Sequence, residues 1–97
     1  MARIASKVDL NHSTIVDALR ASGVSVQSLA EVGGGCPDLL CAVNGLNFLI
    51  EVKSGNELLN AKQKTWHREW RGTAHLARTV TEAICIADYY RTKKFAL

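Results

Sequence analysis

The dipeptide Asn44-Gly45 constrains this chain most strongly. It stands between two apolar runs, and Asn-Gly in that setting is the strongest short-range signal for a tight β-hairpin. A two-residue loop fixes the register. Val43 then faces Leu46, Cys41 faces Phe48, and Asp38 falls opposite Glu51. One face of the hairpin carries Leu39, Cys41, Val43, Leu46, Phe48, Ile50 and Val52, all apolar, and belongs in a core. The other carries Asp38, Glu51 and Lys53 among Leu40, Ala42, Asn47 and Leu49. A slip of one residue would bury the charges, so the register is well specified.

The charged face is unusual in its pairing. Directly opposed residues have Cβ atoms about 4.5–5.5 Å apart, so the hairpin sets two carboxylates side by side with an ammonium next to them. A purely structural pair would place Asp opposite Lys. Acid opposite acid costs stability unless a cation lies between the two. Mg²⁺ favours sites of one or two carboxylates completed by water and phosphate oxygens. The bland alternative makes Asp38 a turn residue after Pro37, and Glu51 and Lys53 a solvated strand face.

Around the hairpin the chain alternates between helix and strand periods. A first helix is predicted over about Asn11–Ala21, with Asn11 as N-cap, Ile15, Val16 and Leu19 as its apolar stripe, and Gly23 as its stop. Val24–Leu29 reads as a strand. Val32-Gly33-Gly34-Gly35 is a loop in which backbone could approach a phosphate closely. The hairpin strands span about Asp38–Val43 and Leu46–Lys53, followed by a loop to Leu59. A second helix is expected over about Asn60–Arg71, ending at Gly72. Leu59, Gln63, Trp66 and Trp70 share one of its faces, read mainly as core, and Lys64, His67, Arg68 and Arg71 share another. His75–Arg78 reads as a fourth strand. Thr79-Val80-Thr81-Glu82 is a capping box opening a third helix, about Thr81–Arg91. The order is αβββαβα: an α/β fold with a mixed four-stranded sheet and helices on both faces.

Composition narrows the options only modestly. At 97 residues the chain reads as a single domain, 1–97. Lys and Arg number 12 against 9 Asp and Glu, a mildly basic balance that permits nucleic-acid binding. Cys36, Cys41 and Cys85 are odd in number and lack C-x-x-C spacing, which suits reduced cysteines in a cytoplasmic protein better than a disulfide frame or a zinc site. No signal peptide or long apolar span is evident, so no membrane partner is expected. A P-loop, a G-x-S-x-G elbow and a dinucleotide fingerprint are all missing from the sequence.

The pattern Pro37-Asp38…Glu51-Val52-Lys53 resembles the PD-(D/E)XK nuclease signature. With Gly33-Gly34-Gly35-Cys36-Pro37-Asp38-Leu39-Leu40 before it, and Leu59-Asn60-Ala61-Lys62-Gln63 and Trp66-His67-Arg68-Glu69-Trp70-Arg71-Gly72 after it, the chain resembles the small stand-alone VRR-NUC proteins, often encoded by phages. The likeness runs from about Asp9 to Ala87. It implies a restriction-endonuclease-like core and metal-dependent hydrolysis of DNA phosphodiesters. For stand-alone members it also implies a homodimer acting on branched DNA, notably Holliday junctions, in the cytoplasm of a bacterial host if phage-encoded.

On that resemblance Asp38, Glu51 and the Val52 carbonyl would hold Mg²⁺ or Mn²⁺, with Asp9 as a further acid. Lys53 would stabilise charge on the phosphate, Gln63 would stand beside the site, and His12 is an outside candidate for proton transfer. Gly34, Gly35, Lys64, His67, Arg68 and Arg71 would track DNA. The first helix departs from the family pattern: His12 stands where Gln is expected and Thr14 where Glu is expected. That departure supports a rival reading, a DNA-binding or assembly module that keeps the fold without the chemistry. The third helix, apolar nearly all round, would give the dimer a surface through Cys85, Ile86 and Tyr89.

Overall fold

A computed structural model describes the backbone of residues 6–93 and side chains from residue 10 onward. The elements follow the order α1 (Ser6–Ala21), β1 (Ser25–Ser28), β2 (Leu39–Val43), β3 (Leu46–Val52), α2 (Ala61–Glu69), β4 (Ala74–Ala77) and α3 (Val80–Arg91). The sheet order is β1-β2-β3-β4. The first three strands are antiparallel and β4 joins β3 in parallel. This is the expected αβββαβα arrangement.

The hairpin follows its turn. Asn44 and Gly45 both adopt positive φ, 58° and 78°, which is the type I′ geometry whose twist matches the flanking strands. Val43 pairs with Leu46, Cys41 with Phe48 and Leu39 with Ile50. One sheet face, with Leu39, Cys41, Phe48, Ile50 and Val52, is buried against Ile15, Val16 and Leu19 of α1 and Ala83, Ala87 and Tyr90 of α3. Tyr90 stacks on Phe48 with ring centroids 4.2 Å apart, and its hydroxyl meets His75 Nε2 at 2.6 Å.

Two boundaries differ from expectation by more than one residue, each for a local reason. The first helix begins five residues earlier than Asn11, at Ser6. Asn11 is therefore an interior residue, and its amide donates to the carbonyls of Lys53 and Arg78 instead of capping. At the other end, Gly23 (φ 90°) does stop α1: its N–H bonds the Arg20 carbonyl and the Val24 N–H bonds that of Leu19, a Schellman closure.

The second helix ends at Glu69, because Trp70 turns into extended backbone. Gly72 is needed for a different reason than a left-handed stop. A Cβ there would lie 2.8 Å from Trp70 Nε1, so the indole occupies the space a side chain would need. Thr79 caps α3 by accepting from Glu82 N, but Glu82 returns its carboxylate to Arg78 N, one residue before the box would have it.

The second sheet face is more open. α2 lies over it and buries none of its own side chains. Trp66 is half-buried and Trp70 is 49 % exposed, so they are not the core residues expected. They stack on each other instead, with centroids 4.5 Å apart.

Candidate functional site

The hairpin register and the entry to α2 build the site together. Asp38 immediately precedes β2, and its Oδ2 accepts from Val52 N at 2.9 Å. That bond ties the carboxylate to the end of β3. Glu51 and Lys53, two residues apart, lie on the same face at that end. Both are buried, Glu51 at 2 % exposure and Lys53 at 6 %. Lys53 Nζ is 3.6 Å from Glu51 Oε2 and 3.7 Å from Glu57 Oε2.

Gln63 arrives from α2 with both ends of its carboxamide committed. Its Oε1 accepts from Asn60 N at 2.9 Å, while Asn60 Oδ1 accepts from Gln63 N at 2.9 Å, a reciprocal cap. The cap leaves Gln63 Nε2 to donate to Glu51 Oε2 at 3.2 Å. The glycine loop holds α2 close. A Cβ at Gly35 would stand 2.4 Å from the Lys62 carbonyl, and its φ of 88° disfavours a side chain in any case.

The electrostatics leave one group unfinished. Glu51 Oε1 is buried with no hydrogen-bond partner among the described residues. Burial, and then the charge of Asp38, push the Glu51 carboxyl up to about 7, with Lys53 opposing. A buried carboxylate oxygen without a partner costs about 1–3 kcal/mol or more. A divalent cation would satisfy it and relieve the repulsion with Asp38. The residues present therefore fit a hard, oxygen-ligated ion. Among the described residues no three His, Cys, Asp or Glu side chains converge on one point, so the cluster stays within the two-carboxylate class. The Cys36 thiol is raised by burial and then by Glu51 and Asp38; burial raises that of Cys41 to about 11. Neither favours the thiolate that zinc requires.

The other candidate residues are scattered. His12 lines a cavity of about 260 Å³ between α1 and β1, with Arg20, Ser28 and Leu39. Among the described residues its Nε2 has no partner, and it forms no hydrogen bond or ion pair with Asp38, Glu51 or Lys53. Thr14 is exposed. Asp9 belongs to the backbone of α1, but its side chain lies outside the described residues. Gly34 is exposed beside the start of α2, near Lys62 and Thr65. Lys64 and Arg68 are exposed on α2, whereas Arg71 falls beyond its end. His67 is half-buried and burial lowers its pKa, which weakens it as a cation in the stripe. Sequence reasoning missed Glu57, whose signal was its position four residues after Lys53, and Asn60 as the group that aims Gln63.

No protein-family model and no curated protein matches the chain. A solved structure described as a "VRR_NUC domain" does match, with a TM-score of 0.69. The fold is that of a VRR_NUC domain. The match covers 84 % of this chain and 95 % of the other at 22 % identity. Identity that low establishes shared architecture, and within the VRR_NUC fold the chemistry must be argued from the residues themselves. Among the described residues no helix is long and apolar enough to cross a membrane.

Proposed function

We propose that this chain is a VRR-NUC-type, metal-dependent DNA endonuclease that hydrolyses phosphodiester bonds. The observation that carries the reading is the orphaned Oε1 of buried Glu51, next to Asp38 and within one ion pair of buried Lys53. Asp38, Glu51 and the Val52 carbonyl would hold Mg²⁺ or Mn²⁺, which when bound acidifies water and neutralises charge on a phosphate.

The chain's own residues supply the remainder. Lys53, held between Glu51 and Glu57, presents an ammonium to the negative charge that builds on the phosphate. Gln63 keeps the Glu51 carboxylate turned so that one oxygen stays free. Lys64 and Arg68, exposed on α2, and Arg71 just past it offer phosphate contacts, and the Gly34–Gly35 loop stands against the first turn of the same helix. Branched DNA, Holliday junctions above all, is the proposed substrate, cut by a two-fold dimer in the cytoplasm, that of a bacterial host if the protein is phage-encoded.

The test is a gel assay of four-way, flapped, nicked and linear DNA with Mg²⁺ or Mn²⁺. Cleavage of the four-way substrate in preference to linear duplex is expected. Binding without cutting under either metal would favour the rival, a non-catalytic DNA-binding module. That rival draws on one observation: α1 presents exposed Thr14, and His12 lines a different cavity.

A further inference from the structure

A cavity of about 510 Å³ opens between α2 and the less covered face of the sheet. Leu40 and Leu49 form its floor, Trp66 and Trp70 its roof and Cys36 one end, with Asn47 and Thr73 as polar side chains. Leu40 is 38 % exposed and Asn47 is exposed. Resting on the nuclease reading above, we propose that this cavity receives one unstacked nucleobase of the strand being cut, adjacent to the scissile phosphate.

Placement, shape and charge support a base over other occupants. Cys36 lies two residues before Asp38. The Leu40–Leu49 pair is the next same-face pair along from Asp38 and Glu51, about 7 Å at the rise of a β-strand. That is the scale of one nucleotide, so the cavity continues directly from the candidate metal site. Its walls are flat aromatic and aliphatic groups, which stack on any base, and Asn47 offers a donor and an acceptor to a base edge.

The rim is basic. Lys62, Lys64, Arg68 and Arg71 are exposed on or just beyond α2, and among the described residues none forms an ion pair. A DNA strand running along α2 past the cavity would neutralise these cations. Extruding a base costs least where it is already unpaired or strained, so the cavity would select branched over linear DNA through the ease of unstacking.

The chain contains only two tryptophans, and both line the cavity; their emission therefore reports on it. The wild-type protein in metal-free buffer is titrated with a short single strand, and with the same strand made abasic. Saturable quenching is expected, with the base-bearing strand binding at least about tenfold more tightly, the scale of one base–aromatic stack. Trp66→Ala should remove that difference. Asn47→Ala changes an exposed residue outside the core, and should weaken base-bearing binding several-fold with an unchanged melting temperature.

Equal affinity for the two strands would overturn the proposal. So would an emission shift that follows protein concentration alone, with a dimer mass by light scattering and no response to DNA, because the occupant would then be a second copy. Cleavage is scored separately with Mn²⁺. Cutting with equal strand affinities sinks the base cavity and leaves the nuclease reading standing. Base-dependent quenching without cutting keeps a base-binding cavity and sinks the nuclease reading.

Discussion

Glu51 and Lys53 are buried charges in a small chain, and their cost is informative. Lys53 touches two carboxylates but neutralises the cluster incompletely, since Asp38 and Glu51 still repel. Without metal, Glu51 is better protonated in the folded chain than in the unfolded one. A raised carboxyl pKa contributes stability that is fully present below about 4.5 and is lost as pH rises through about 7. The melting temperature in chelator should therefore fall between pH 4.5 and 7, by the equivalent of at most roughly 3 kcal/mol. Added Mn²⁺ competes with that proton, so its stabilising shift should grow across the same window. Asp38→Asn should abolish the Mn²⁺ shift. A metal-free melting temperature that rises across the window would contradict this assignment. Lys53→Ala is expected to keep the fold and Mn²⁺ binding while lowering cleavage at least about a hundredfold, the scale of one lost transition-state contact. Wild-type cleavage rates in that variant would remove Lys53 from the mechanism.

At the scale of elements, the entry to α2 does two jobs. The Asn60–Gln63 cap starts the helix and also aims Gln63 at Glu51. Asn60→Ala should cost about 1 kcal/mol of stability and lower cleavage beyond that small loss. Asn60→Asp keeps an accepting oxygen at the cap and should restore most of the rate. Activity unchanged in Asn60→Ala at full folding would show that Gln63 needs no such support. The hairpin was legible in the sequence because two independent signals agree, a turn demanding positive φ and a strict period of two. Asp38, Glu51 and Lys53 follow from that register alone. The start of α1 was not legible: Leu10 is 67 % exposed, and among the described residues of the helix no apolar side chain is buried before Ile15. Trp66 and Trp70 misled for a related reason. Their i, i+4 spacing fixes a shared face, but how far that face stands from the sheet depends on Gly35 against Lys62 and on Trp70 folding over Gly72, contacts no local pattern reports.

The whole molecule divides its two sheet faces by role. One is packed by α1 and α3 and supplies the core; the other holds the charged cluster and an open apolar cavity under α2. A single chain thus offers a single cluster, while a four-way junction presents two symmetry-related strands. A two-fold dimer would match a four-way junction, the substrate proposed above. With the cavity proposed for DNA, the outer side of α3 is the surface proposed for a partner. Cys85 is exposed there and Tyr89 is 54 % exposed, with Lys93 Nζ 4.5 Å above its ring; Ile86 is half-buried against the core. Tyr89→Glu places a charge on that surface without entering the core. At micromolar concentration the wild type should scatter light as a dimer and Tyr89→Glu as a monomer of unchanged melting cooperativity. The variant should still bind single strands through the cavity, but should nick junctions on one strand instead of cutting both in concert. A dimer mass that survives Tyr89→Glu would move the interface away from α3. A wild-type monomer that still makes paired cuts would mean that the two copies meet only on the DNA.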